Sequence, residues 1–135
     1  MKKEALKRIF EFLEEKEEQN PPFKWKLLNN KPLLEDDLDV KGDLYLSSTE
    51  IDSLPEDLKV KYSLFLENTT ITYLPEGLKV GHNLYLYNSR INSLPKGLQV
   101  GGSLSIRHTP LEDYSDEQLR EIIKPGFIKG EIYRQ

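Results

Sequence analysis

The sequence predicts an α/β solenoid: a stack of about four 20-residue coils sharing a parallel sheet, with a helix at the N-terminal end and a helix plus closing strand at the C-terminal end. Three observations carry this expectation. The phrase SLPEDLKV at 53–60 returns as YLPEGLKV at 73–80 and SLPKGLQV at 93–100. Val40, Val60, Val80 and Val100 share one register, and each is followed by an alternating apolar pair: Leu44/Leu46, Leu64/Leu66, Leu84/Leu86 and Leu104/Ile106. Alternation of this kind describes a strand with one buried face, and a unit this short buries that face only by stacking on copies of itself.

The elements follow in order. Leu6, Ile9, Phe10 and Leu13 recur at helical spacing, so 3–18 reads as an amphipathic helix stopped by Asn20-Pro21-Pro22. Its expected role is to cover the apolar end of the first coil, with Phe23, Trp25, Leu27 and Leu28 packing nearby. The first coil is degenerate, with Glu35 where later coils have Pro55, Pro75 and Pro95. In each coil the strand leads to a hydroxyl column (Thr49, Thr69, Ser89, Thr109) and then to Ile51, Ile71, Ile91 or Leu111. The Leu-Pro pair suits a return outside the ladder, because proline lacks an N–H and fixes φ. Each coil is thus expected to be one strand plus an irregular return. Ser115-Asp116-Glu117-Gln118 has capping-box spacing for a helix ended by Lys124-Pro125-Gly126, expected to cover the distal end of the stack. Ile128-Lys129-Gly130-Glu131-Ile132-Tyr133 matches the pattern of 40–45 and reads as a last strand added to the sheet.

The motif L-x-L-x-x-(Thr/Ser)-x-I-x-x-L-P over 34–111 resembles a leucine-rich repeat of the short bacterial class, and its wording is closest to bacterial and phage proteins with LPEGLKVGG-type repeats. The resemblance implies a strand-lined exposed sheet face and a ladder of side chains bonding the loop backbone. Here Thr49, Thr69, Ser89 and Thr109 stand where that family carries asparagine. The fold alternative is a straighter, β-helix-like solenoid. The resemblance to phage-borne proteins also implies a narrower role, as an inhibitor of a host defence or regulatory protein.

The chain has 135 residues, 37% of them hydrophobic and 31% charged, which fits a single domain: an N-terminal cap at 1–33, repeats at 34–111 and a C-terminal cap at 112–135. With no cysteine there is no thiolate chemistry, disulfide or cysteine-held metal. There is no apolar run of about 18 residues to span a bilayer. Glu4 and the acids of 11–18 interrupt any signal-peptide core, so a cytoplasmic location is expected. Charge is uneven along the chain: 35–60 carries nine acidic residues against Lys41 and Lys59, while 79–110 carries Lys79, Arg90, Lys96 and Arg107 without an acid. Stacked coils turn this into an axial gradient.

The candidate site is the outward side of the strands. Tyr45, Phe65 and Tyr85, followed by Ser105 and Tyr133, alternate with the buried leucines, and coils about 4.8 Å apart would align the rings as a ladder. Asp43, Ser63, Asn83, Ser103 and Glu131 flank it on one side, and Ser47, Glu67, Tyr87 and Arg107 on the other. Aromatic residues in a charged surround characterise protein interfaces, so partner binding by Tyr45, Phe65, Tyr85, Glu67, Tyr87 and Arg107 is expected; stacking for sheet stability alone is the competing reading.

Other chemistry is weaker. Gly42, Gly81, Gly101, Gly102 and Gly130 precede no phosphate-loop motif and read as bends or close coil-to-coil approaches. His82 and His108 lie in different columns without carboxylates at ligand spacing, and Asp36-Asp37 and Glu56-Asp57 sit in turns, so no metal or cofactor is expected. Four cations spread over 79–110 make a poor phosphate tract, although Tyr85, Tyr87, Arg90 and Arg107 would form a small stacking site. The expected function is therefore a non-enzymatic protein-binding module, and the alternative is a small hydrolase or nucleic-acid-processing factor.

Overall fold

The computed structural model describes residues 22–134. The chain divides into two compact units, 1–33 and 34–135. In the first, the helix expected over 3–18 lies outside the described residues. Phe23, Trp25, Leu27 and Leu28 fall on a short helix, α1 (Phe23–Leu28). It starts after Pro22, and it ends at Asn29, whose backbone and side-chain N–H groups both donate to the Trp25 carbonyl.

The second unit winds into a parallel-sheet solenoid. A 3-10 turn, η1 (Glu35–Leu38), opens it where the other returns carry proline, and the Asp37 carboxylate accepts the Leu34 N–H at 2.7 Å. The strands are β1 (Asp39–Val40), β2 (Leu44–Tyr45), β3 (Lys59–Val60), β4 (Leu64–Phe65), β5 (Lys79–Val80), β6 (Leu84–Tyr85), β7 (Gln99–Val100), β8 (Leu104–Ser105), β9 (Phe127–Ile128) and β10 (Ile132–Tyr133). They form two five-stranded sheets, β1-β3-β5-β7-β9 and β2-β4-β6-β8-β10. The register is the twenty-residue one: Val60 pairs with Val40 and Val80, and Leu64 with Leu44 and Leu84.

Each turn therefore holds two strands, where the alternating pattern suggested one. The break has a local cause. At the corner between the sheets the Ser63 N–H bonds the Asp43 side chain at 2.8 Å instead of a carbonyl, and the Ser103 N–H bonds Asn83 Oδ1 at 2.8 Å. Ser63 Oγ and Ser103 Oγ accept the Asn83 and Glu131 N–H groups in the same way, each at 3.2 Å. One column of short acceptors replaces one rung of carbonyls, so the ladder is interrupted while the Ser63, Asn83, Ser103 and Glu131 N–H groups stay paired. The corner is also tight: a Cβ at Gly101 would lie 2.2 Å from the Gly81 carbonyl oxygen, so the close coil-to-coil approach expected of this glycine is realised.

The core is built from the predicted columns. Leu46, Leu66, Leu86 and Ile106 are fully buried, as are Leu58, Leu78 and Leu98 on the returns. Burying one such side chain contributes about 1.5–3 kcal/mol relative to exposure, so the columns outweigh any single polar contact. In the hydroxyl column Thr49, Thr69 and Thr109 donate to the carbonyl three residues back at 2.6, 2.7 and 2.6 Å, closing the bend after the strand. Ser89 is the exception: its buried hydroxyl has no partner among the described residues. Beside this column Ser48, Asn68, Asn88 and His108 all adopt φ of 55–58°, a conformation asparagine tolerates better than most residues.

The C-terminal elements replace a return. η2 (Pro110–Asp113) buries Leu111, and α2 (Asp116–Ile122) follows with the expected capping box: Ser115 Oγ accepts the Gln118 N–H and Gln118 Oε1 accepts the Ser115 N–H. Leu119 and Ile123 are fully buried, and the Gly97 N–H donates to the Ile123 carbonyl. Beyond the helix β9 and β10 add to the two sheets, pairing with β7 and β8, where the 128–133 pattern suggested a single added strand. The Arg120 guanidinium reaches forward from α2 to the Ile128 and Gly130 carbonyls, and Arg134 bonds the Glu112 carbonyl and the Asp116 carboxylate. Among the described residues no helix is long and apolar enough to cross a membrane.

Candidate functional site

The outer face of the second sheet gathers the predicted aromatic residues. Tyr45 and Phe65 are register partners, as are Phe65 and Tyr85, and in-register parallel pairing puts successive side chains directly above one another. Their rings stack with centroids 4.6 and 4.8 Å apart and planes inclined by 12° and 13°. Such pairs contribute about 0.5–1.5 kcal/mol each beyond area burial. Tyr45, at the end of the row, is 56% exposed, while Phe65 and Tyr85 are half-buried. The row then breaks: Ser105 occupies the next rung, between Tyr85 and the exposed Tyr133.

Polar tips fix the ring ends. The Tyr45 hydroxyl donates to Asp43 at 3.1 Å, which raises the phenol pKa above its ordinary value through this bond and the carboxylate charge. The Tyr85 hydroxyl accepts from the Asn83 side-chain amide at 3.0 Å. Asp43 and Asn83 therefore bond both a ring hydroxyl and the backbone of the next turn, and Ser63 and Ser103 likewise bond backbone. This flanking column was expected to face outward as a surround to the rings; four of its members instead hold the corner.

The opposite flank is arranged differently. Ser47 donates to Glu67 at 3.3 Å; the Arg107 guanidinium lies 5.4 Å from the Tyr87 ring centre; and His108 meets the same ring edge-on at 5.4 Å. Glu67, Tyr87 and Arg107 thus share one column beside the ring row, with cation, ring and imidazole grouped at its far end. His82 packs edge-on against Tyr62 at 5.1 Å. Both histidines are exposed, and among the described residues no three His, Asp or Glu side chains are grouped to hold a metal ion.

A second feature lies on the outer face of the first sheet, where the linear charge count pointed to nothing. An open groove of about 480 Å³ is lined by Lys41, Lys59, Lys61, Lys79 and Lys129, with Gly81 and Gly101 on its floor and Phe127 at one end. Asp39 is the one acid in the lining. Charge is therefore sorted between faces as well as along the axis. The signal was available, since Lys59 and Lys79 occupy the same place in the repeat, but it needed the corner to show that they face away from the rings.

Neither a protein-family model, a curated protein nor a solved structure matches the chain.

Proposed function

We propose that the chain is a non-enzymatic module that binds a protein partner through the ringed face of its second sheet. The observation that carries this reading is the continuous stacked row of Tyr45, Phe65 and Tyr85, exposed at Tyr45 and half-buried at the other two, beside a column holding Glu67, Tyr87 and Arg107. Rigid aromatic side chains lose little conformational entropy on docking, and interfaces concentrate their energy on such anchors. On this reading residues 34–111 are four leucine-rich-repeat-like coils of the bacterial or phage type, the protein works in the cytoplasm, and its partner is a host defence or regulatory protein that it inhibits.

The test is affinity capture from the native cell lysate, identification of any saturably retained protein, and measurement of its affinity for variants. Phe65→Ala removes two stacked neighbours and is expected to lower the melting temperature whatever its role in binding. Tyr45→Ala is the cleaner probe, because Tyr45 stacks on one side only. Truncating an interface anchor commonly costs about 2 kcal/mol, roughly a 30-fold loss of affinity. Tyr45→Ala and Tyr85→Ala are each expected to weaken the partner by about that factor, and Arg107→Ala mainly to slow association. If both aromatic variants bind the partner unchanged, the row serves the sheet alone and the reading fails.

A further inference from the structure

We propose that the lysine-lined groove on the first sheet binds the phosphate backbone of a single-stranded nucleic acid. This groove carries an electrostatic cost inside the fold. Lys59 and Lys79 are direct register partners on neighbouring strands, and like charges facing each other in this way destabilise a sheet. Lys61, Lys41 and Lys129 extend the same cluster across the lining. Among the described residues Lys59, Lys61 and Lys79 make no ion pair; Lys41 alone is paired, with Asp39. Five cations against one carboxylate leave a strong unneutralised field over a small area. Asp39 registers that field: its carboxyl is held below the ordinary value by the Lys41 hydrogen bond and further by the charges of Lys41, Lys59 and Lys61.

The shape and companions of the groove decide what kind of anion it suits. The lining runs from Asp39 and Lys41 in the first turn to Phe127 and Lys129 in the last, four steps of about 4.8 Å. Midway, Gly81 and Gly101 stand where the neighbouring turns carry Lys61 and Lys129, so the floor is bare backbone and a chain can lie low between the ammonium groups. All the cations are lysines, flexible point charges that hold phosphate by charge and impose no fixed geometry on it. Exposed rings accompany them: Phe127 lies at the groove's end with Lys129 over it at 5.4 Å, and Tyr62 lies beside Lys61 at the same distance. A cationic track with aromatic platforms is the combination that holds single strands, with phosphates on the charges and bases on the rings, at site sizes from about four nucleotides. A purely acidic peptide such as polyglutamate would use the charges and leave the rings idle.

The experiment is fluorescence anisotropy of a short dye-labelled oligothymidylate titrated with the whole protein across a range of salt concentrations. With about four phosphates neutralised, the logarithm of the association constant is expected to fall with the logarithm of salt at a slope of about −3. Lys61→Ala and Lys79→Ala are each expected to flatten that slope by about 0.7, and Phe127→Ala to weaken binding about fivefold or more at unchanged slope. Lys96→Ala, outside the groove, is expected to change neither. Thermal melts of the same variants confirm that they fold, and exposed lysine substitutions here are expected to keep or raise the melting temperature. Absence of salt-dependent binding overturns the proposal. So does binding of polyglutamate, or of a duplex of equal length, as tight as that of the single strand. The ringed face takes no part in this binding, so its failure as a protein-docking surface would leave these results unaffected.

Discussion

Arg120 donates to the carbonyl oxygen of Gly130 at 2.8 Å and to that of Ile128, the two acceptors on which another turn of the solenoid would have to register. The equivalence is visible one turn earlier, where the Val100 and Gly102 carbonyls accept the Lys129 and Gly130 N–H groups. A single guanidinium on α2 thus occupies acceptors that a further strand would use. Charged donors of this kind contribute about 1.5–3 kcal/mol each, and an unsatisfied sheet edge is a site of association. Arg120→Ala is expected to lower the melting temperature by several degrees and to produce concentration-dependent oligomers in size-exclusion chromatography with light scattering. A monodisperse variant with the parent's melting point would remove Arg120 from this role.

Leu64 and Leu84 are register partners with no solvent exposure. An aspartate at either position would place an unpaired charge between stacked turns, at a cost of several kcal/mol that is a large part of a domain's whole stability. Leu64→Asp and Leu84→Asp are each expected to abolish cooperative unfolding monitored by circular dichroism. A sigmoidal melt close to the parent's would contradict the register.

The Ser89 hydroxyl, without a partner among the described residues, stands in a column where Thr49, Thr69 and Thr109 each bond a carbonyl. The neighbouring turn buries a threonine at the same rung, so the column has the shape for one. Ser89→Thr is expected to gain about 0.5–1.5 kcal/mol, a rise of a few degrees in melting temperature, whereas Thr69→Ala is expected to lose a similar amount. Ser89→Ala is expected to be close to neutral. Chemical denaturation of the three variants checks the ordering.

The Tyr45 phenol donates to Asp43, and its pKa is raised in the fold. A raised folded-state value contributes stability that is fully present below the unfolded tyrosine's pKa and is lost as pH climbs through the folded one. Asp39 behaves in the opposite sense: lowered chiefly by Lys41, it contributes above the unfolded aspartate's value, and that contribution disappears as pH falls through the folded one. In an alkaline absorbance titration Tyr45 is expected to give a late component, above the ordinary tyrosine value. Tyr45→Phe is expected to remove that late component and Asp43→Asn to shift it down. Asparagine keeps the oxygen that accepts the Ser63 N–H, as Asn83 does for Ser103, so the corner survives the substitution. A late component unchanged in Asp43→Asn would assign it to another tyrosine.

What could be read from the chain alone were features written in one residue type at a fixed period. The Val, Leu and Ile columns and the hydroxyl column have this form; the Ser115 capping box and the closing 128–133 segment, off the twenty-residue period, were legible from local pattern instead, because apolar burial and cap chemistry admit few alternatives. The corner was hidden because Asp43, Ser63, Asn83 and Ser103 share a hydrogen-bonding capacity and no common identity. Without the corner, two strands per turn read as one. The lysine groove was hidden for a related reason: Lys59, Lys79 and Lys129 are distant in sequence, and a running charge count offset the first of them against acids that lie elsewhere. The tolerance of Asn68 and Asn88 for positive φ hinted at a shared turn conformation, but Ser48 and His108 in the same column obscured it.

The twenty-residue register makes size a separable property of this molecule. Val60 and Val80 are followed by the same corner geometry, each passing its carbonyl to the next turn, Val60 to the Gly81 N–H and Val80 to the Gly101 N–H. Excising 61–80 would join Val60 directly to Gly81 and ask for no turn that the chain does not already make. The product would be shorter by about 4.8 Å, with one ring fewer on one face and two lysines fewer on the other. In-frame loss or gain of one such block would lengthen or shorten both surfaces together, so the reach of the molecule can be altered by counting blocks without redesigning any of them.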